Sequence, residues 1–158
     1  MKKIFLLLMI LLMSTYTFAL EGKVIKVADG DTITILDHHK KVKVRFYGID
    51  APEKTQEYGM KSKDILDHLL YGKYVNIDVK DIDQYGRTVG IVYYKHKNIN
   101  VEMVKNGNAW WYKRYSKDNM ELAAAEIYAK QEKKGLWEGK NPIAPWKYRK
   151  LKKDKVNI

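Results

Sequence analysis

The chain has 158 residues, with 30 Lys and Arg, 19 Asp and Glu, and no cysteine. This length suits one domain with a substantial core rather than two, and the lack of cysteine excludes disulfides, a lipoprotein acylated on cysteine, and thiol catalysis. The net charge of +11 indicates a polyanionic partner, and charge alone leaves nucleic acid, anionic lipid and cell-wall polymer all open.

The amino terminus has the pattern of a secretory signal peptide. Lys2 and Lys3 precede an apolar run over residues 4–13, and a small residue, Ala19, ends the segment. An uncleaved anchor is the alternative, but about ten apolar residues are too few for a bilayer core of about 30 Å. We therefore predict cleavage after Ala19 and a secreted or cell-envelope (periplasmic) location. Without the two lysines, 28 basic side chains face 19 acidic ones, a net charge of +9.

Short β-branched and alternating segments follow, separated by polar turns. An Asp-Gly-Asp turn at 29–31 joins the first two segments, and period-two alternation of apolar and basic residues marks the third. Five strands are predicted, over residues 24–27, 32–36, 42–46, 74–79 and 88–94.

Helical spacing predicts three helices, over about residues 56–70, 99–105 and 120–134. Gly72 is the predicted stop of the first helix. Ser116 or Asp118 is the predicted N-cap of the third, and Gly135 its C-cap. Beyond residue 139, the basic run 147–153 predicts a solvated tail.

Five short strands with helices inserted late favour a small barrel of the oligonucleotide-binding (OB) Greek-key type. The predicted fold class is α+β, mainly β, with a five-stranded barrel and three α-helices. The predicted organisation is a signal peptide over 1–19, one domain over 20–139 and a basic tail over 140–158.

Carboxylates near strand ends form a candidate site for a hard cation. Asp31 opens the second predicted strand and Asp50 closes the third, and such ends can meet in an antiparallel barrel. The alternative for residues 29–31 is a plain turn. The alternative for Glu53 is an acid favoured near the start of a helix.

Arginines and aromatic residues complete the candidate site. Arg45 and Arg87 carry planar forks that match phosphate oxygens, which lysine cannot do. Tyr85 is either a group that stacks on a ligand or an exposed hairpin residue. Tyr112 and Tyr115 are possible ligand contacts, whereas the neighbouring tryptophans suit packing. The histidines lack zinc-site spacing.

Four stretches of the sequence, residues 27–32, 44–53, 83–87 and 134–137, occur in the same order and with the same spacing as the motifs of a known family. Over roughly residues 22–138 the chain resembles the thermonuclease (staphylococcal nuclease-like) family. The resemblance implies the five-stranded barrel with three helices and calcium-dependent hydrolysis of DNA and RNA phosphodiesters.

The resemblance also implies roles for individual residues. Asp31 and Asp50 match the carboxylate ligands of Ca²⁺, and Ala51 supplies a backbone carbonyl to the ion. Glu53 matches the acid that positions or deprotonates the attacking water.

The same resemblance assigns the groups that contact substrate. Arg45 and Arg87 match the two phosphate-binding arginines, with Arg87 close to the leaving oxygen. Tyr85 and Tyr115 match nucleotide-contacting tyrosines. Gln84 departs from the family pattern, since it replaces a lysine that touches a terminal phosphate.

The sequence therefore predicts an exported, calcium-dependent endonuclease or phosphodiesterase that acts on DNA and RNA as a monomer, without a membrane span after signal cleavage. Two alternatives are a catalytically silent OB-fold module that binds nucleic acid and a basic envelope-adhesion protein. The presence of all three acids and both arginines favours catalysis, because degenerate copies usually lose some of them.

Overall fold

The structure is a computed structural model that describes residues 20–156, which form a β-barrel with helices packed around it. Every predicted strand is confirmed, with ends extended by up to four residues. The strands are β1 (Leu20–Asp29), β2 (Thr32–Asp37), β3 (Lys40–Phe46), β4 (Ile49–Asp50), β5 (Tyr74–Ile82), β6 (Thr88–Tyr94), β7 (Lys97–Asn98) and β8 (Trp110–Trp111).

The barrel consists of five strands in the order β3–β2–β1–β5–β6. Neighbours along this order pair antiparallel. Val44–Phe46 of β3 pairs in parallel with Thr88–Gly90 of β6, which closes the barrel. The predicted α+β, OB-type barrel is confirmed, and closure removes the strand edges that would otherwise be exposed.

The barrel interior is filled by the apolar positions of the alternating strands. Ile33 and Ile35 of β2 and Val44 and Phe46 of β3 are buried. Their side chains share one face because strand residues two apart point the same way. The opposite face of β3 carries lysines and Arg45, so one strand contributes both to the core and to a polar surface.

Within residues 20–156, five α-helices and one 3₁₀ helix surround the barrel, two more α-helices than predicted. They are α1 (Gly59–Leu70), α2 (Ile99–Lys105), α3 (Lys113–Ser116), α4 (Met120–Gln131), the 3₁₀ helix Gly135–Glu138, and α5 (Pro145–Val156). The first helix begins later than predicted because the residues before it form tight turns. Gln56 N–H donates to the Glu53 carbonyl at 2.8 Å, and Gly59 N–H donates to the Gln56 carbonyl at 2.9 Å.

The predicted caps of α4 are wrong. Asn119 is the N-cap, since its side-chain oxygen accepts from Leu122 N–H at 3.0 Å. Ser116 instead directs its hydroxyl to the Gly48 carbonyl at 3.3 Å. The helix ends at Gln131, and Gly135 lies at the start of the 3₁₀ helix rather than at its C-cap.

The carboxyl-terminal segment is a helix. The basic run 147–153, predicted as a solvated tail, lies in α5, whose lysines are exposed to solvent as expected, while Pro145 is buried. Tyr148 on this helix donates its hydroxyl to the Thr55 carbonyl at 3.0 Å. The segment is therefore attached to the barrel domain.

The predicted signal peptide, residues 1–19, lies outside the described residues. Among residues 20–156, no helix has both the length and the apolar character needed to cross a membrane.

Candidate active site

An open cleft of about 670 Å³ is lined by the β1–β2 turn, the end of β3, β4 and the β5–β6 hairpin. The residues predicted to act in catalysis, metal binding or nucleotide binding all line it: Asp31, Arg45, Asp50, Ala51, Glu53, Tyr85, Arg87 and Tyr115. The fold therefore gathers into one cleft groups that are dispersed along the chain.

Two buried acids lie at the base of the cleft. Asp31 is 5% exposed and lies in the turn before β2, whereas Asp50 is 2% exposed and ends β4. The backbone joins the two segments, because Ala51 N–H donates to Asp31 Oδ2 at 2.6 Å. Asp31 Oδ1 also accepts from the Thr32 hydroxyl at 3.0 Å. The two acids therefore lie close together, as expected, but Asp50 ends the separate strand β4 and does not close β3 as predicted.

Arg45 bridges the two acids. Its Nη1 lies 3.2 Å from Asp31 Oδ2, and its Nη2 lies 3.1 Å from Asp50 Oδ1. Nη1 also donates to the Phe46 carbonyl at 3.0 Å. Arg45 pairs with both β2 and β6 at the point of barrel closure, so its backbone is held on two sides.

The acids at the bottom of the cleft favour a further positive charge beside them. Burial raises the pKa of Asp31 well above its usual value; the Arg45 guanidinium opposes the shift, and the carboxylates of Asp29 and Asp50 add to it. A buried carboxyl with a raised pKa and carboxylate neighbours is an environment that a bound cation would stabilise.

Arg149 supplies one such charge, and the sequence analysis missed it as a site residue. Its Nη2 lies 2.8 Å from Asp50 Oδ2, and its Nη1 lies 2.8 Å from Glu53 Oε1. Partial burial alone would lower the pKa of Arg149, but its hydrogen bonds to these acids raise it above the usual value. The available signal was composition: Arg149 is the one arginine among the lysines of α5, next to aromatic residues.

Arg87 is held by an acid of its own hairpin. Its Nε donates to Asp83 Oδ2 at 2.6 Å, and its backbone N–H donates to Asp83 Oδ1 at 2.9 Å. Partial burial would raise the pKa of Asp83, but hydrogen bonds from Arg87 and from Tyr85 N–H lower it below the usual value. Gly86 adopts a φ of 73° at the tip of this hairpin, a conformation that glycine accepts without strain.

Tyrosines form the rim of the cleft. Tyr85 is 74% exposed and Tyr115 is 64% exposed, so both rings are accessible to a ligand. Tyr47 donates its hydroxyl to the Tyr115 carbonyl at 2.9 Å, which fixes the Tyr115 backbone. Tyr112 also lines the cleft and stacks on Trp146 of α5, with ring centroids 5.2 Å apart. The tryptophans of β8 pack within the fold, as expected.

The donor set at the base fits a hard cation such as Ca²⁺. Asp31 and Asp50 present carboxylate oxygens, and the chain continues directly into Ala51. Calcium takes six to eight oxygen ligands, with water and substrate oxygens completing the set. No group of three or more His, Cys, Asp or Glu side chains with metal-binding geometry occurs within residues 20–156. The two carboxylates would therefore be only part of any coordination shell.

The structure is thus a closed OB-type barrel whose acids and arginines line one cleft. Residues 43–139 match the family described as staphylococcal nuclease homologue. An "Uncharacterized endonuclease" of Haemophilus influenzae is 47% identical over 137 residues, covering 86% of this chain and 75% of the relative. A protein of the same name from Escherichia coli O157:H7 is 42% identical over 134 residues, covering 84% of this chain and 87% of the relative.

A "Micrococcal nuclease" of Shigella flexneri is 36% identical over 146 residues, covering 86% of this chain and 84% of the relative. The chain belongs to the staphylococcal nuclease family. It is a nuclease, and its substrates are nucleic acids.

Proposed function

We propose that this nuclease is an exported, calcium-dependent monomer that hydrolyses phosphodiester bonds of both DNA and RNA. The observation that supports it most is the bridge from Arg45 to two buried carboxylates, at 3.2 Å to Asp31 and 3.1 Å to Asp50. An anion-binding guanidinium and oxygen donors for a cation then border the same cleft, an arrangement suited to metal-assisted phosphodiester hydrolysis.

Asp31, Asp50 and the carbonyl of Ala51 are the proposed calcium ligands. Calcium bound there would neutralise phosphate charge and help to orient the phosphodiester. The two acids also place Arg45 at the base of the cleft, where it can contact a non-bridging phosphate oxygen.

Glu53 is the proposed base. Its side chain is 41% exposed, so water can reach it from the open cleft. Water gives a proton to Glu53 and attacks the phosphorus, the P–O bond opposite the attack breaks, and the leaving alkoxide oxygen takes up a proton from solvent water. Arg45 and Arg87 stabilise the negative charge on the phosphoryl oxygens, with Arg87 nearest the leaving oxygen.

The nucleotide contacts belong to the rim. Tyr85 and Tyr115 are proposed to stack on, or donate hydrogen bonds to, the nucleotide beside the scissile phosphate. Arg87 lies 5.5 Å from the centre of the Tyr85 ring, so a nucleotide at Tyr85 would also be close to the guanidinium.

A calcium titration of nuclease activity tests the proposal. Purified protein is incubated with linear DNA and with RNA at increasing calcium concentration, and then with a calcium chelator in excess. We expect both polymers to be cut with calcium and neither with chelator. An Asp50→Asn preparation controls for contaminating nuclease. Undiminished cutting in chelator would contradict the calcium dependence, and cutting of only one polymer would contradict the dual specificity.

The same assay separates catalysis from binding alone. A barrel that only binds nucleic acid would retain a gel shift and leave DNA intact at every calcium concentration. Light scattering of the purified protein checks the monomer. Mass measurement of protein recovered outside the cytoplasm checks export, which we expect to yield a chain that begins at Leu20.

A further inference from the structure

The first half of α5 packs against the barrel domain and holds the helix over the acidic side of the cleft. Trp146 stacks on Tyr112 and meets Trp110 edge-on, with centroids 5.7 Å apart in the second pair. Tyr148 donates its hydroxyl to both the carbonyl and Oγ1 of Thr55, at 3.0 and 3.1 Å. Because Trp146 and Arg149 are three residues apart on a helix, they share a face, and this face carries Arg149 towards the acids.

Arg149 engages the Asp50 carboxylate on both oxygens. Its Nη2 is 2.8 Å from Oδ2 and its Nη1 is 3.3 Å from Oδ1, while Arg45 Nη2 contacts Oδ1 from the other side at 3.1 Å. Arg149 Nη1 also donates to Glu53 Oε1 at 2.8 Å. A metal-binding acid and the proposed base are thus joined by one guanidinium.

These contacts use the lone pairs that a cation would need. Calcium binds carboxylate oxygens at roughly 2.3–2.6 Å, and a guanidinium in hydrogen-bond contact with the same oxygens leaves no room for that approach. The Arg149 side chain is 45% exposed, so it can move into solvent while its helix stays docked. Arg45 differs, because its side chain is only 16% exposed and is held between strands.

We propose that Arg149 is a displaceable internal cation that competes with calcium for the acidic side of the site. In the cation-free protein its single positive charge is shared between Asp50 and Glu53. When calcium binds, the guanidinium leaves the acids and becomes available to the phosphodiester in the cleft. This inference rests on the proposed calcium site.

Calcium binding measured without nucleic acid tests the competition directly. Isothermal titration calorimetry with calcium chloride alone compares the parent protein with Arg149→Gln, Arg149→Lys and the control Lys150→Gln. Lys150 is the exposed neighbour of Arg149 on α5, so its substitution removes one positive charge without removing a contact to the acids.

We expect Arg149→Gln to bind calcium about tenfold more tightly than the parent, within the usual range of coupling between linked sites. Lys150→Gln should remain within about twofold of the parent. Arg149→Lys should lie between them, because an ammonium keeps the charge but cannot bridge both acids as the fork does. The calcium-induced rise in Tm should likewise be larger for Arg149→Gln, which provides a second reading.

Equal or weaker calcium binding by a folded Arg149→Gln protein would overturn the competition while leaving the calcium site in place. Tightening of equal size in Lys150→Gln would also overturn it, because the effect would then be one of general charge. No calcium binding by any of the four proteins would overturn this inference, and the calcium titration of nuclease activity would then decide the calcium dependence of the proposed function separately. Calcium binding by Arg149→Gln but not by the parent would be the strongest support.

Discussion

Asp50 is the residue on which the charged groups of the cleft converge. It is buried at the end of β4, and it accepts hydrogen bonds from the guanidinium groups of Arg45 on β3 and Arg149 on α5. Taking a carboxylate out of water is costly unless it is paired. A bound cation would therefore replace one positively charged partner of Asp50 by another. This costs less free energy than creating a buried carboxylate that has no partner.

Glu53, the proposed base, yields the first prediction. Glu53→Gln should lower kcat by at least about 10²-fold, the size of a general-base contribution. Binding of a nucleotide ligand should survive, because glutamine keeps the shape and can still accept from Arg149. Single-turnover kinetics and a nucleotide-binding assay measure the two effects. Glu57→Gln, on an exposed acid of the same segment, is the control and should behave as the parent. Near-parental turnover of folded Glu53→Gln would remove Glu53 from the chemistry.

Arg87 yields a second prediction at the residue scale. Arg87→Lys keeps the charge but loses the planar fork, so kcat/KM should fall by roughly 10²-fold with little change in stability. The Nε contact to Asp83 at 2.6 Å shows that the guanidinium is oriented before substrate arrives, which an ammonium cannot reproduce. Steady-state kinetics and urea unfolding test both parts, with the exposed Arg114→Lys as the matched control. If Arg87→Lys cuts DNA as well as the parent does, the transition-state role is wrong.

Among the elements, α2 sets the position of the chain that leads into the site. Asn100, buried in α2, donates to the Tyr47 carbonyl at 2.9 Å and accepts from Val92 N–H at 3.0 Å. The amide therefore ties β6 to the segment between β3 and β4. That segment continues to Asp50, and the Tyr47 hydroxyl reaches the Tyr115 carbonyl.

This tie gives a stability prediction. Asn100→Ala should lower the free energy of unfolding by about 3 kcal/mol, because buried backbone groups lose their partners at about 1–3 kcal/mol each. Asn106→Ala, at the C-cap of the same helix, is the control: its exposed amide donates to the Glu102 carbonyl, so its loss should cost less than about 1 kcal/mol. Urea unfolding measures both. If both variants lost a similar amount of unfolding free energy, the burial of Asn100 would not be the cause of its contribution to stability.

Two glycines show how a second pair of elements is joined. The 3₁₀ helix approaches the end of α2 so closely that Leu136 N–H donates to the Gly107 carbonyl at 2.9 Å. A Cβ on Gly135 would lie 2.4 Å from that carbonyl oxygen, and Gly135 has a φ of 56°. Gly135 was predicted as a helix C-cap. A C-cap and a close contact between two backbones both favour glycine, so only the tertiary contact with Gly107 distinguishes the two roles.

At the scale of the whole molecule, features set by residues close in sequence could be predicted, whereas features set by contacts between distant residues could not. The barrel strands follow from alternation within a few residues, and the cleft residues follow from motifs in register. Asn119 as N-cap was missed because neighbouring polar residues compete for one cap, and Ser116 is used by a contact with Gly48. Arg149 was missed because its role depends on docking 99 residues from Asp50, which no local pattern encodes.

The final prediction concerns the charge of the whole surface. The excess of basic residues should attract nucleic acid through counterion release, with a salt slope of roughly 0.9 per phosphate neutralised in B-DNA. The exposed lysines of α5 extend from the cleft, so they are placed to contact phosphates beyond the scissile one. Point substitutions test this better than truncation, because a deletion would also remove Arg149.

The triple variant Lys150→Gln, Lys152→Gln and Lys153→Gln should raise KM for long DNA at low salt and flatten the salt dependence of kcat/KM. Its kcat on a dinucleotide-sized substrate should stay near that of the parent, since such a substrate cannot span from the cleft to these lysines. Lys40→Gln, Lys41→Gln and Lys43→Gln together remove the same charge from the exposed β2–β3 hairpin, away from the residues that line the cleft, and should have a smaller effect. Equal salt slopes in the two triple variants would show that total charge, rather than its position on α5, controls attraction to the substrate. A fall in kcat on the short substrate would instead mean that these lysines support the chemistry directly.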